Sequence, residues 1–176
     1  MIRLATPDDI AALVALERRH GRDELSSDDP GLEAQLIDKK AFTELIAREL
    51  LLLSLHGGAI VGYGVVTSEG FYQGSAFYRR LFSRAQSAAK ELDIRLQRPG
   101  CYGPVWVAPA FRGKGVFTPL VNEILTQAKK RFDGLVTFIA EENEHSLNVH
   151  VQRAQMQVAD FFDDNGRGFY LLLKPL

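Results

Sequence analysis

Arg112, Gly113, Lys114 and Gly115 stand between an apolar stretch and a helical one, an order that suits anion binding. Cys101 to Ala108 reads as a strand, and apolar residues recur at helical spacing from Val116 to about Arg131. A helix start carries N–H groups without intrahelical partners and the positive end of the helix dipole. Glycine lets a phosphate come close to the main chain. The expected chemistry is a phosphate group held by backbone amides at this turn.

Two phosphate motifs fail on spacing. A Walker A loop needs glycine at 108 and Ser or Thr at 115, where the chain has Ala108 and Gly115. A dinucleotide fingerprint needs a third glycine at 118, which is Thr118, and an acidic residue after a second strand. His145 and His150 are five positions apart, so they do not share a helix face as paired metal ligands would, and no metal is expected. Cys101 has no partner motif for nucleophilic work and reads as packing. His20 and His56 fall at element ends and carry no expected role.

The elements that must position this turn follow from periodicity. Ile2–Ala5 alternates as a strand, and Thr6 caps a helix with Pro7 at its first position and Asp8 and Asp9 at its positive end, closed by Gly21. Residues 22–31 read as a loop, and a second helix follows with Leu36, Phe42, Leu45 and Ile46 on its face. Leu50–Leu55 and Ala59–Thr67 form a hairpin around His56, Gly57 and Gly58. Residues 69–75 read as a loop, and Ser75–Leu92 as a helix. Beyond the turn come a strand at Leu135–Ala140, a helix capped by Asn143 and running to Ala154, and a closing hairpin, Val158–Phe162 with Phe169–Leu173. The expected fold is a mixed α/β sheet, mostly antiparallel, flanked by helices, with one parallel pair from the crossover around the central helix.

The chain of 176 residues suits a single domain over 1–176, and its 46% hydrophobic content is enough to build a core without staples. The net charge of -1 excludes the basic excess of a dedicated nucleic-acid or membrane-surface binder. One cysteine excludes an internal disulfide and a cysteine-rich zinc site, and a cytoplasmic setting is the natural reading. The N-terminus lacks the pattern of a signal peptide, and no apolar run approaches a membrane span.

Val107-Ala-Pro-Ala-Phe-Arg-Gly-Lys-Gly-Val-Phe117 resembles the pyrophosphate-binding motif of the GNAT superfamily of acyl-CoA N-acyltransferases: Arg or Gln, two residues, Gly, one residue, Gly or Ala. Arg112 and Gly115 fit, and Phe117 stands where a small residue is usual. Glu142-Asn-Glu-His-Ser-Leu-Asn-Val-His150 resembles the family's later motif through Asn143, Ser146 and His150. The Gly-Phe that closes that motif is absent, with Ala154-Gln-Met156 near its place. The N-terminal stretch and Gly62-Tyr-Gly64 also resemble the family, so the likeness covers nearly the whole chain.

The resemblance implies the GNAT fold and transfer of an acetyl group from acetyl-CoA to a primary amine of a small molecule or peptide, by direct attack in a ternary complex. A non-catalytic CoA-binding or regulatory module that kept the fold is the alternative. The strand at Val105, Trp106 and Val107 would pair with pantetheine amides and give an N–H to the oxyanion. Arg112, Gly113, Lys114, Gly115, Val116 and Phe117 would hold the pyrophosphate, with Asn143 and Ser146 also on the cofactor. His150 would meet the leaving thiolate as an acid, because imidazole titrates near neutrality, or be a structural histidine. Tyr102 would be a base or a substrate contact, with Glu141 or Glu142 acting through water as the other bases. Phe71–Tyr78 would form an aromatic lid over the acceptor or pack in the core. The resemblance leaves a homodimer open and implies neither a nucleic-acid nor a membrane partner.

Overall fold

The computed structural model describes residues 1–20 and 37–176. Gly21, the loop at 22–31 and Leu36 lie outside the described residues. The described elements run β1 Ile2–Leu4, α1 Ile10–His20, α2 Lys39–Arg48, β2 Leu50–His56, β3 Ala59–Ser68, α3 Ala76–Glu91, β4 Pro99–Val107, α4 Phe117–Ala128, β5 Gly134–Ala140, α5 Glu144–Gln152, β6 Gln157–Asp164 and β7 Arg167–Pro175. Short 3-10 turns occupy Pro7–Asp9, Glu69–Tyr72 and Pro109–Phe111.

All seven strands join one sheet in the order β1-β2-β3-β4-β5-β7-β6. Every neighbouring pair is antiparallel except β4 with β5. The parallel pair is the one that α4 crosses over, as a strand–helix–strand unit requires. The pairing is brief: Pro99, Gly100 and Cys101 face Gly134, Leu135 and Val136, and it stops there. Beyond Cys101 the two strands diverge while β4 remains paired to β3 as far as Val107. The divergence opens a wedge in the middle of the sheet.

Alternation along the strands sends side chains to two faces. On one face α4 lays Phe117, Leu120, Val121 and Ile124 over Val66, Tyr102, Val105 and Val107. Each such buried side chain contributes roughly 1.5–3 kcal/mol. Gly64 permits that approach, since a Cβ there would lie 2.3 Å from Ile124 Cδ1. The other face carries two cores. One joins α1 and α2 to Leu51, Leu53, Tyr63, Val65 and Trp106, and the other joins α3 to Val136, Phe138, Phe169 and Leu171.

The boundaries differ from expectation in small, explicable ways. The helix after the turn ends at Ala128, because Arg131 and Phe132 both return their N–H groups to the Ala128 carbonyl (2.9 and 2.8 Å). That closes the helix and tucks Phe132 into the core. Residues 69–72 form a 3-10 turn, while the expected strand at Cys101 begins two residues earlier at Pro99. Asp9 supports the expected Thr6 cap by accepting its N–H (2.7 Å) and gripping Arg3 (2.8 Å).

Candidate functional site

The turn after β4 is held open by its own sequence. Pro109 starts a 3-10 turn, and Arg112 swings back to donate its Nε–H to the Val107 carbonyl at 2.9 Å. Arg112 therefore pins the turn to the end of the strand. Gly113 and Gly115 then take φ of +72° and +80°, the left-handed region where a Cβ is disfavoured. A Cβ at either would meet nothing within 4 Å, so the inner side of the turn is open space. Left-handed residues at two nearby positions turn the chain tightly, the kind of backbone from which anion-binding nests of N–H groups are built.

The amides bear this out. Arg112 and Lys114 donate to Pro109 and Phe111 carbonyls, each at 3.3 Å. The N–H groups of Gly113, Gly115, Val116 and Phe117 have no hydrogen-bond partner among the described residues. The last two open α4, where the helix dipole adds its positive end. The turn thus carries four N–H donors that no acceptor among the described residues takes up. Lys114 is exposed, with Nζ 5.8 Å above the Phe111 ring.

Phe117, out of pattern for a small-residue position, turns its ring inward. It is buried in the α4 core and meets the His150 ring edge-on, with centroids 5.4 Å apart. The bulk of the side chain therefore stays away from the nest, and the Phe117 N–H remains at its edge.

His150 sits on α5, whose start is fixed by Asn143. The Asn143 Oδ1 accepts the Ser146 N–H at 3.1 Å, an ordinary N-cap. His150 Nδ1 lies 2.8 Å from the Ser146 carbonyl, which only accepts, so that nitrogen carries the proton. Nε2 is then the free lone pair, and the Tyr102 hydroxyl, 3.1 Å away, donates to it. Both side chains are buried. Desolvation pushes the His150 imidazole down to about 4 and the Tyr102 phenol up. Burial thus favours the uncharged form of both side chains. The Asn143 and Ser146 side chains are engaged within α5. Asn143 caps its helix through Oδ1, and Ser146 is fully buried with its Oγ 3.3 Å from His150 Nδ1.

Tyr102 reaches this face because β4 bulges. Tyr102 is opposite Val66 and Val105 opposite Gly64, so three steps of β4 span two of β3, around the cis Gly103–Pro104 bond. Tyr102, Val105 and Val107 thereby share the α4 face, and Trp106 points to the other. The remaining candidates stand apart. Cys101 is buried and its thiol is pushed up to about 12 by desolvation, away from any nucleophilic role. Glu142 pairs with Arg167, and Glu141 is exposed. Phe77 is core, whereas Tyr72 and Tyr78 stack at 3.7 Å, half-buried. Arg80 and Arg84 pair with Asp164 and Asp160 across to β6. Among the described residues no cluster of His, Cys, Asp and Glu could hold a metal ion.

The sequence model of the Acetyltransferase (GNAT) family matches residues 17–154. No curated protein sequence matches the chain. Similar solved structures include the ribosomal-protein-alanine N-acetyltransferase of Brucella melitensis, with 20% identity, a TM-score of 0.64 and 100% and 99% of the two chains covered. Another is yncA of Salmonella typhimurium with its cofactor acetyl-CoA, with 16% identity, a TM-score of 0.65 and 99% and 92% covered. The polyamine N-acetyltransferase of Drosophila melanogaster has 13% identity and a TM-score of 0.68, with 100% and 99% covered. At these identities the likeness is one of fold.

Proposed function

The chain belongs to the GNAT family of acetyltransferases, and from that premise we propose that it transfers an acetyl group from acetyl-CoA to a primary amine of a small molecule or peptide. The observation that carries the proposal is the nest of four unpaired amides at 113–117, opening beside the wedge between β4 and β5. In this reading the diphosphate sits on the nest and the pantetheine arm follows the free edge of β4 at Val105, Trp106 and Val107. The thioester then lies in the wedge. Acetyl-CoA supplies the activated acyl carbon. The amine lone pair forms the C–N bond, a β4 N–H steadies the oxyanion, and the C–S bond breaks as the thiolate leaves. Tyr102 and His150 line the donor side as a neutral hydrogen-bonding pair.

The proposal includes a single N-acetyltransferase domain over residues 1–176 and a cytoplasmic enzyme; no described helix is long and apolar enough to cross a membrane. Calorimetric titration with CoA tests binding, and thiol release from acetyl-CoA in the presence of a panel of amines tests transfer. Saturable binding with amine-dependent thiol release is expected. Binding without transfer to any amine would leave a CoA-binding module, and no binding would remove the donor site.

A further inference from the structure

α4 and α5 lie on the same sheet face but are held to it differently. α4 buries five apolar side chains, Phe117, Leu120, Val121, Ile124 and Ala128. Of the nine residues of α5 only Ser146 and His150 are buried, and both are polar. Leu147 and Val149 pack partly buried against the α4 core, and Ala154 and Met156 bury the chain just beyond the helix. The body of α5 meets β4 through the 3.1 Å hydrogen bond from the Tyr102 hydroxyl to His150 Nε2. The imidazole is braced for that bond. Its Nδ1–H sits on the Ser146 carbonyl one turn back at 2.8 Å, which fixes the ring to its own helix and turns Nε2 toward the strand. Tyr102 is the residue after Cys101, where the pairing of β4 with β5 stops. The bond therefore runs from β4, at the point where the strands part, to the helix that follows β5. It ties the two sides of the wedge together.

We propose that this hydrogen bond is the latch that seats α5 beside the wedge, which makes Tyr102 and His150 positioning residues for the thioester. The inference rests on the acetyl-transfer reading above. A helix with few buried apolar side chains opens at low free-energy cost, so one satisfied polar contact weighs heavily in keeping it seated. Breaking that contact leaves Nε2 a buried acceptor without a donor, and the helix relieves this by moving toward water. With α5 seated, the thioester in the wedge has β4 on one side and α5 on the other, and its carbonyl carbon is held where the amine meets it. The nest lies at the start of α4, an element with its own apolar anchorage, so diphosphate binding does not depend on the latch. The role asked of His150 is to accept one hydrogen bond, not to exchange a proton with the sulfur. Another side chain that accepts the bond from the same place should therefore serve.

The test compares the parent with Tyr102→Phe and His150→Gln. The Gln carboxamide oxygen can accept the Tyr102 O–H but holds no proton for a thiolate. Calorimetric titration with CoA should give the parent's affinity in both variants, which also reports their folding. Amide hydrogen exchange at 148–152 of α5 should quicken about tenfold in Tyr102→Phe, with the β2 amides unchanged, and stay within about twofold of the parent in His150→Gln. With the best amine of the panel, kcat should fall about tenfold in Tyr102→Phe and stay within about threefold of the parent in His150→Gln. Exchange at 148–152 that matches the parent in Tyr102→Phe would overturn the latch. A His150→Gln rate as low as that of Tyr102→Phe, with α5 exchange unchanged, would overturn the positioning role and return the imidazole to proton transfer. A parent that releases no thiol with any amine would overturn the transfer reading and the positioning role with it, while exchange in Tyr102→Phe decides the latch separately.

Discussion

The amide nest at 112–117 and the Tyr102–His150 pair lie on the same sheet face, joined through the single ring of Phe117, yet they treat polar groups in opposite ways. In the nest, four N–H donors around two left-handed glycines have no partner among the described residues. In the buried pair each donor has its acceptor: the phenol on Nε2 and Nδ1–H on the Ser146 carbonyl. A surface meant to take an anion keeps its donors aimed and wet, since water satisfies them until the ligand arrives. A buried pair must satisfy itself, and it does so at the expense of being charged. Donor affinity and the properties of the buried pair should therefore respond to separate substitutions.

The largest effect should come from the nest. Arg112→Glu with Gly115→Asp sets two carboxylates where the amides point and puts a Cβ on a left-handed residue. CoA affinity measured by calorimetry should fall more than about 100-fold. An affinity within about threefold of the parent would break the assignment.

The buried pair should be read through stability and pH. Since desolvation holds His150 down to about 4, the native state refuses a proton that the unfolded chain accepts. Stability from this group is complete above the free imidazole range and is lost as pH falls toward about 4, at up to about 1.4 kcal/mol per pH unit. Denaturant unfolding at a series of pH values should show that slope in the parent and not in His150→Phe. Tyr102→Phe should cost about 1–2 kcal/mol by leaving Nε2 without a donor, with CoA affinity unchanged. An equal loss of CoA affinity in that variant would merge the two regions into one.

The smallest effect lies at the sheet's far edge and calibrates the acid limb. The hydrogen bond from Arg3, with further help from Thr6, holds Asp9 at about 2. Its stabilisation is present above the ordinary carboxylate range and fades as pH falls toward about 2. Because the Arg3 side chain is partly open to solvent, Asp9→Asn should cost no more than about 1 kcal/mol. Unfolding curves should show this loss well below the window assigned to His150.

The regions differ as much in how far the sequence reveals them. A glycine-rich turn between a strand and a helix is a local pattern, and so are the Asn143 cap and the Gly57-Gly58 hairpin. Each depends on a few neighbouring residues, and each stands where its residues place it. The order of elements sufficed for the parallel pair at β4 and β5. What could not be read depends on register. The bulge at Gly103–Pro104 shifts the alternation of β4, so strict period-two counting would put Tyr102 and Val105 on opposite faces. The contact of Tyr102 with His150 follows from the shift. His20 is likewise a helix-end residue by sequence and gains its neighbours only when α1 packs over Trp106. Phe117 breaks the small-residue pattern, and only the packing shows that its ring turns away from the nest.

The central claim is that four backbone amides receive the diphosphate of CoA. Following backbone amide resonances of the 15N-labelled protein during titration with CoA, and separately with pantetheine, tests it most directly. The account predicts large shifts at Gly113, Gly115, Val116 and Phe117 with CoA and little movement there with pantetheine, which lacks the diphosphate. Saturable CoA binding that leaves those four resonances in place would contradict it.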